Sequence, residues 1–101
     1  MRLFPIAAYK LIRILGKIGF RPVRQEGSHL RLIHPDGRST TIPIHGAKDI
    51  DPNILGEILK QAKLSREEFF KLLKEILILF GIAAREKVNQ KNYEKLKLPL
   101  L

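Results

Sequence analysis

The sequence predicts an α+β fold in the order helix, three antiparallel strands, helix, helix. Apolar residues recur at helical spacing near the N-terminus, alternate with polar residues in the next segment, and return to helical spacing after residue 50. Helices that flank a run of strands, instead of alternating with each strand, are typical of the α+β class. The 101 residues leave room for one domain and an appendage.

The first helix is predicted over about residues 7–18, and Gly19 is a natural stop after it. Gly16 inside this helix either lets another backbone approach or weakens the helix, and the pattern does not decide between them. Residues 20–25 lose the helical spacing. Because Pro22 has no N–H to donate, this segment is predicted to be an edge strand or a bulged strand.

A β-hairpin is predicted next, on the alternation of Leu30 and Leu32, and then of Ile42 and Ile44, with polar residues. Opposed residues point to the same sheet face, so both apolar sets reach one core only if even-numbered residues pair. That register needs an odd loop length. A three-residue loop ending at Gly37 in the left-handed conformation provides it.

The same register has a chemical consequence on the other face of the hairpin. His29, Arg31 and His45 are predicted to share that outer face, with His29 directly or diagonally across from His45.

Two further helices are predicted after residue 50. Asp51 is the N-cap of the first, and Ser65 to Glu68 form a capping box that begins the second. Their apolar stripes are Ile54, Leu55, Ile58, Leu59 and Ala62, then Phe69, Leu72, Leu73 and Ile76. Residues 76–80 are apolar on every side, so we expect another protein to cover them, and the helix is expected to continue to about Lys97.

The composition favours a polyanionic partner, with nucleic acid first. The formal net charge is +9, and residues 1–45 carry +6 of it. The absence of cysteine excludes disulfides, thiolate metal sites and cysteine nucleophiles. The longest uncharged apolar run has nine residues, far below the ~20 of a membrane-spanning helix, so we expect a cytoplasmic protein without a membrane role.

Histidines are the residues suited to proton transfer, because the ordinary pKa of a histidine is ~6.5. His34 is predicted to be a solvated turn residue, whereas a structural and a functional role are equally open for His45. His29 follows Gly-Ser and has arginines nearby. A metal site of His29, His45 and Asp49 is conceivable, but its spacing matches no known motif.

Five segments together are similar to one known family. They read GFRPVRQEGSH (19–29), HPDGR (34–38), IPIHGAK (42–48), ILGEILKQA (54–62) and SREEF (65–69). In this order and spacing, the chain resembles the HicA, or YcfA-like, family of toxin ribonucleases over about residues 10–73.

The resemblance implies a fold like that of double-stranded-RNA-binding domains, α-β-β-β-α, with the helices on one face of a three-stranded antiparallel sheet. It implies an mRNA interferase, an endoribonuclease that needs no metal or cofactor and is neutralised by a HicB-type antitoxin. The histidine of the family's Gly-Ser-His motif is catalytic and corresponds to His29. Our mechanistic hypothesis makes His29 the general base or acid for attack by an RNA 2′-OH. The supporting residues are Arg24, Ser28, Arg31, His45 and Lys48.

The chain departs from the family at its C-terminal end, which continues for about 25 residues beyond the usual length. We therefore expect an RNase domain at 1–73 and a helical extension at 74–101. The extension is expected to bind either the antitoxin or a second copy of the chain, the latter through a helix at 66–84. The alternative function is a non-catalytic RNA-binding or oligomerising module on the same fold, which would not require His29.

Overall fold

The computed structural model of the chain describes residues 2–46 and 48–86, with side chains up to residue 78. The elements are α1 (Ala8–Lys17), β1 (Arg21–Glu26), β2 (His29–Ile33), β3 (Ser39–Pro43), α2 (Pro52–Ala62) and α3 (Arg66–Glu86). The predicted α+β fold is confirmed, with three antiparallel strands in the order β1-β2-β3. The predicted continuation of the last helix to about Lys97 lies outside the described residues.

The chain divides into two compact units, residues 1–70 and 71–101. The first contains α1, the sheet, α2 and the first turn of α3. Of the second, the structure describes the rest of α3, where Leu77 and Ile78 are exposed. The division into an RNase domain at 1–73 and an interaction segment at 74–101 stays a prediction. None of the helices within the described ranges combines the length and apolarity that crossing a membrane requires.

The end of α1 requires a glycine. The N–H of Phe20 donates to the carbonyl of Leu15 (3.0 Å) and that of Gly19 to Gly16 (3.2 Å), the hydrogen-bond pattern of a Schellman motif. Gly19 has φ +108°, and a Cβ there would lie 2.7 Å from Nε2 of His34. Any larger residue would therefore meet both backbone strain and a steric clash.

Gly16 lies in open space, because no neighbouring atom in the described part of the chain is within 4 Å of a Cβ built on it. Of the two interpretations that the sequence left open, the close approach of another backbone is therefore not observed, and the structure supports a helix that Gly16 weakens locally. Gly16→Ala is expected to raise the free energy of unfolding by about 0.5–1 kcal/mol, because alanine loses less backbone entropy on folding. Urea denaturation measures the change, and a lower midpoint would contradict it.

The predicted register of the hairpin is confirmed. Leu30 pairs with Ile42 and Leu32 with Thr40, so even-numbered residues oppose one another. The connecting loop has three residues and ends at Gly37, whose φ is +100°. The odd loop length therefore places both apolar sets on one face of the sheet.

The core of the first unit lies on this even-numbered face. Leu32 and Ile42 have no exposed surface, and Thr40 Oγ1 donates to Gln61 Oε1 of α2 (2.5 Å). The largest fully buried side chains of the helices and their ends are Leu11, Ile14, Leu15, Phe20, Leu55 and Phe69. The predicted face of α2 is buried at Leu55, Ile58, Leu59 and Ala62, whereas Ile54 is 40% exposed and its predicted burial is wrong.

His34 joins the hairpin to the end of α1 by a hydrogen bond, so its prediction as a solvated turn residue is wrong. Its Nε2 carries a hydrogen and donates to the carbonyl of Ile18 (2.8 Å), because a carbonyl can only accept. Its Nδ1 lies 3.1 Å from the N–H of Asp36 and 3.0 Å from Oδ1 of the same residue. Nδ1 therefore has a partner in either protonation state, and the side chain is only 18% exposed.

Arg38 fastens the other side of the same loop to α2. Its Nη1 donates to the carbonyl of Ala62, and its guanidinium lies 5.2 Å from the ring centroid of Phe20. The backbone N–H and the guanidinium of Arg38 lower the pKa of the Asp36 carboxyl below its usual value. The loop is thus held to the ends of both helices by two side chains and the ring between them.

Both predicted helix caps are confirmed. The Asp51 carboxylate accepts the N–H groups of Asn53 (2.8 Å) and Ile54 (3.0 Å) at the start of α2. At the start of α3, the N–H of Glu68 donates to Ser65 Oγ (3.1 Å), and the N–H of Ser65 donates to the Glu68 carboxylate (3.3 Å). These bonds fix where each helix begins.

Candidate functional site

The candidate site lies on the outer face of the sheet, the face opposite the even-numbered core side. Cα pairing assigns nine residues to it. They are Arg21, Arg24 and Glu26 on β1, His29, Arg31 and Ile33 on β2, and Ser39, Thr41 and Pro43 on β3. Three arginines and a histidine thus share a surface with one carboxylate.

Arg24 lies on this face because the two-residue turn at Gly27 and Ser28 pairs Glu26 with His29, and the same register then pairs Arg24 with Arg31. The register shifts between Pro22 and Arg24, so that Val23 is an extra residue. Without this β-bulge, Pro22 would oppose Ile33 and Arg21 would point to the core side. The bulge therefore turns the Arg21 side chain outward, a known role of bulges near functional sites. The prediction of a bulged edge strand is confirmed.

His29 is the first residue of β2 and is exposed. A two-residue turn precedes it, with Gly27 at φ +57°, as the first central position of a type II′ turn requires. This turn places Glu26 directly across from His29 on β1, and Pro43 is across from it on β3. His29 is two residues from Arg31, so both side chains project from the outer face.

His45 does not lie directly across from His29, because Pro43 takes that position. Of the two predicted placements, the direct one is wrong, and His45 follows two residues after Pro43, beyond the end of β3. The N–H of Ile44 donates to the carbonyl of Ser28 (2.6 Å), which brings this segment beside the turn that carries His29.

His45 and Lys48 belong to one turn, because the N–H of Lys48 donates to the carbonyl of His45 (3.1 Å). Both side chains are exposed, and no hydrogen bond joins His45 to His29 within the described ranges. The structure therefore groups Arg24, Ser28, His29 and Arg31 closely, with His45 and Lys48 on a neighbouring turn.

Glu26 is a residue of this face that sequence reasoning missed. Its carboxylate lies 3.2 Å from Nε of Arg24, and both side chains are mostly exposed. The signal was present in the sequence, because a two-residue turn at Gly27 and Ser28 places Glu26 opposite His29. One arginine of the face is thus already paired with an acidic group.

Ser39 and Thr41 were also missed. Arg31 is half-buried, and it donates from Nη2 to Ser39 Oγ (3.0 Å) and from Nη1 to Thr41 Oγ1 (3.4 Å). The hairpin register already indicated that these odd-numbered residues share a face with Arg31. The two hydroxyls hold the guanidinium in place across the strands.

The described residues contain no assembled metal site. No group of three or more His, Asp or Glu side chains that could hold a metal ion comes together there. The conceivable site of His29, His45 and Asp49 is therefore not formed. The arrangement that does form is an exposed imidazole beside guanidinium groups, which suits proton transfer next to a bound anion.

Residues 8–64, more than half of the chain, match the family model of the HicA toxin of bacterial toxin–antitoxin systems. The chain belongs to the HicA toxin family. The match extends from the start of α1 to just beyond α2 and so includes every residue of the candidate site. Membership in the HicA family indicates a toxin and implies an antitoxin as its partner. A comparison with curated proteins found no match.

Proposed function

We propose that the chain is an mRNA interferase, an endoribonuclease toxin that a HicB-type antitoxin neutralises. The observation that carries the proposal is the exposed His29 on the same sheet face as Arg24 and Arg31, within the part of the chain that matches the toxin family. Proton transfer and phosphate binding are the two abilities that RNA cleavage demands of a protein.

RNA supplies its own nucleophile, so the protein has only to move protons and stabilise charge. In the proposed reaction His29 removes the proton from a 2′-OH, and the oxygen attacks the adjacent phosphorus. The bond from phosphorus to the 5′-oxygen breaks, which leaves a 2′,3′-cyclic phosphate on one fragment. The leaving 5′-oxygen takes a proton from a second group, for which we propose His45 on the neighbouring turn.

The positive groups have a separate task in this proposal. Negative charge accumulates on the phosphate oxygens during attack. Cations that are already in position beside the phosphate stabilise this charge. The candidates for these cations are Arg24, Arg31 and Lys48, and Ser28 shapes the turn that carries His29. Because Arg24 is paired with Glu26 at 3.2 Å, a phosphate would compete with this carboxylate for the guanidinium.

A non-catalytic RNA-binding module is the second candidate function, because the same basic face would grip phosphates without cleaving RNA. Such a module does not require an exposed histidine among the arginines. Leu77 and Ile78, exposed on α3, favour an added interaction role in either case.

Purified protein incubated with a mixed-sequence RNA and excess EDTA tests the proposal. We expect shorter fragments that end in 2′,3′-cyclic phosphate, because the reaction uses the 2′-OH and a histidine and no metal. The same RNA incubated without protein is the control. RNA that is bound but stays intact would support the binding module instead.

A further inference from the structure

Arg31 differs from the other arginines of the sheet in its partners. Arg24 is paired with the carboxylate of Glu26, and Arg21 donates to main-chain carbonyls at the end of α1. Arg31 is held by the hydroxyls of Ser39 and Thr41, and no carboxylate in the described residues pairs with it. Its charge is therefore held in position without being compensated.

The groups around Arg31 are arranged to donate hydrogen bonds. A guanidinium has five N–H donors, and the two hydroxyls use two of them. Because each hydroxyl oxygen accepts from Arg31, its own hydrogen remains available to a ligand. A positive charge surrounded by N–H and O–H donors complements an anion with several acceptor oxygens, such as a phosphate.

The distance from His29 indicates which phosphate this is. His29 and Arg31 are two residues apart along β2, or about 7 Å at the usual rise of a strand. Neighbouring phosphates of an extended RNA strand have a comparable separation. A scissile phosphate at His29 would therefore place the adjoining phosphate near Arg31.

We propose that Arg31, Ser39 and Thr41 form a subsite for the RNA phosphate next to the scissile one. Arg31 contacts this phosphate, while Ser39 and Thr41 are positioning residues that act through it. The inference rests on the proposed endoribonuclease function and divides its cations: Arg31 positions the substrate, and Arg24 and Lys48 remain for the developing charge.

The double variant Ser39→Ala, Thr41→Val tests the subsite in steady-state cleavage of a short single-stranded RNA with one mapped cleavage site. We expect KM to rise about tenfold with kcat nearly unchanged, because two hydrogen bonds to Arg31 are lost. The matched control, Ser39→Thr with Thr41→Ser, keeps both hydroxyls and is expected to retain the wild-type KM. An unchanged KM in the first variant, or a loss confined to kcat, would overturn the proposal.

A chemically altered substrate locates the phosphate. An uncharged methylphosphonate replaces the linkage immediately 5′ or 3′ of the cleavage site in otherwise identical RNAs. At one of these positions the KM of wild type is expected to rise about tenfold, whereas the KM of the double variant rises no further. The reason is that the substitutions and the methylphosphonate remove the same interaction between Arg31 and the phosphate. Equal sensitivity of the two proteins at both positions would place the subsite elsewhere.

A binding measurement separates failure of this subsite from failure of the proposed function. The same RNA is titrated into His29→Ala protein, with and without the Ser39→Ala and Thr41→Val changes. If wild type cleaves no RNA while these changes still weaken binding, the endonuclease proposal fails and phosphate binding at Arg31 stands. If wild type cleaves RNA and the changes alter neither KM nor binding, the subsite fails and the endonuclease stands.

Discussion

Replacing His29 with alanine is expected to reduce RNA cleavage at least a hundredfold and to leave the melting temperature unchanged. A positioned general acid or base typically contributes about 10²–10⁴ to a rate, and alanine can move no proton. The imidazole is exposed and makes no side-chain hydrogen bond within the described ranges, so its removal costs the fold little. Cleavage rates and thermal melts of the two purified proteins measure both effects.

The chain contains a matched control for this variant in its second hairpin histidine. His34→Ala removes the hydrogen bond to Ile18 and the edge contact with Phe20, so it is expected to lower the melting temperature. Well below that temperature, its folded molecules keep the outer face and should still cleave RNA. A His29→Ala protein that cleaves at the wild-type rate would remove His29 from the mechanism.

The hairpin register could be predicted from the sequence because it depends on local facts. The alternation of Leu30 and Leu32 with polar residues, the need for one core, and the loop ending at Gly37 leave a single solution. The caps at Asp51 and Ser65 are local in the same sense, because each hydrogen bond spans three residues or fewer.

The role of His34 could not be predicted, because its partner Ile18 lies sixteen residues away. Nothing near the turn in sequence indicates that the end of α1 reaches it. Arg21 is an intermediate case. Pro22 indicated an irregular strand, but the position of the extra residue, Val23, decides which face receives the Arg21 guanidinium.

For the candidate site, the sequence predicted which residues share the outer face better than how they are partnered. Arg31 and His29 were assigned to one face by parity alone, as the structure has them. The pairing of Arg24 with Glu26 depends on side-chain positions that a strand pattern does not contain. Of the two placements predicted for His45, directly or diagonally across from His29, the direct one is wrong because Pro43 pairs with His29.

The largest effect on stability is expected from Phe20→Ala, at about 3–5 kcal/mol of unfolding free energy. The ring has no exposed surface, His34 meets it edge-on with centroids 5.2 Å apart, and the guanidinium of Arg38 lies 5.2 Å from its centroid. Alanine would leave a cavity where the hairpin loop meets the ends of α1 and α2. Guanidinium chloride denaturation, extrapolated linearly to water, measures the loss.

The variant Phe20→Leu separates two contributions of this ring to stability: its buried volume and its contacts with His34 and Arg38. Leucine fills most of the space, so a loss of less than about 1.5 kcal/mol is expected from the change in shape. Removing the ring face also removes the attraction for Arg38, worth about 0.5–1 kcal/mol at a partly exposed site. If Phe20→Ala were no more destabilising than Phe20→Leu, the cavity would not be the cause, and the hairpin would be held chiefly by the hydrogen bonds of His34 and Arg38.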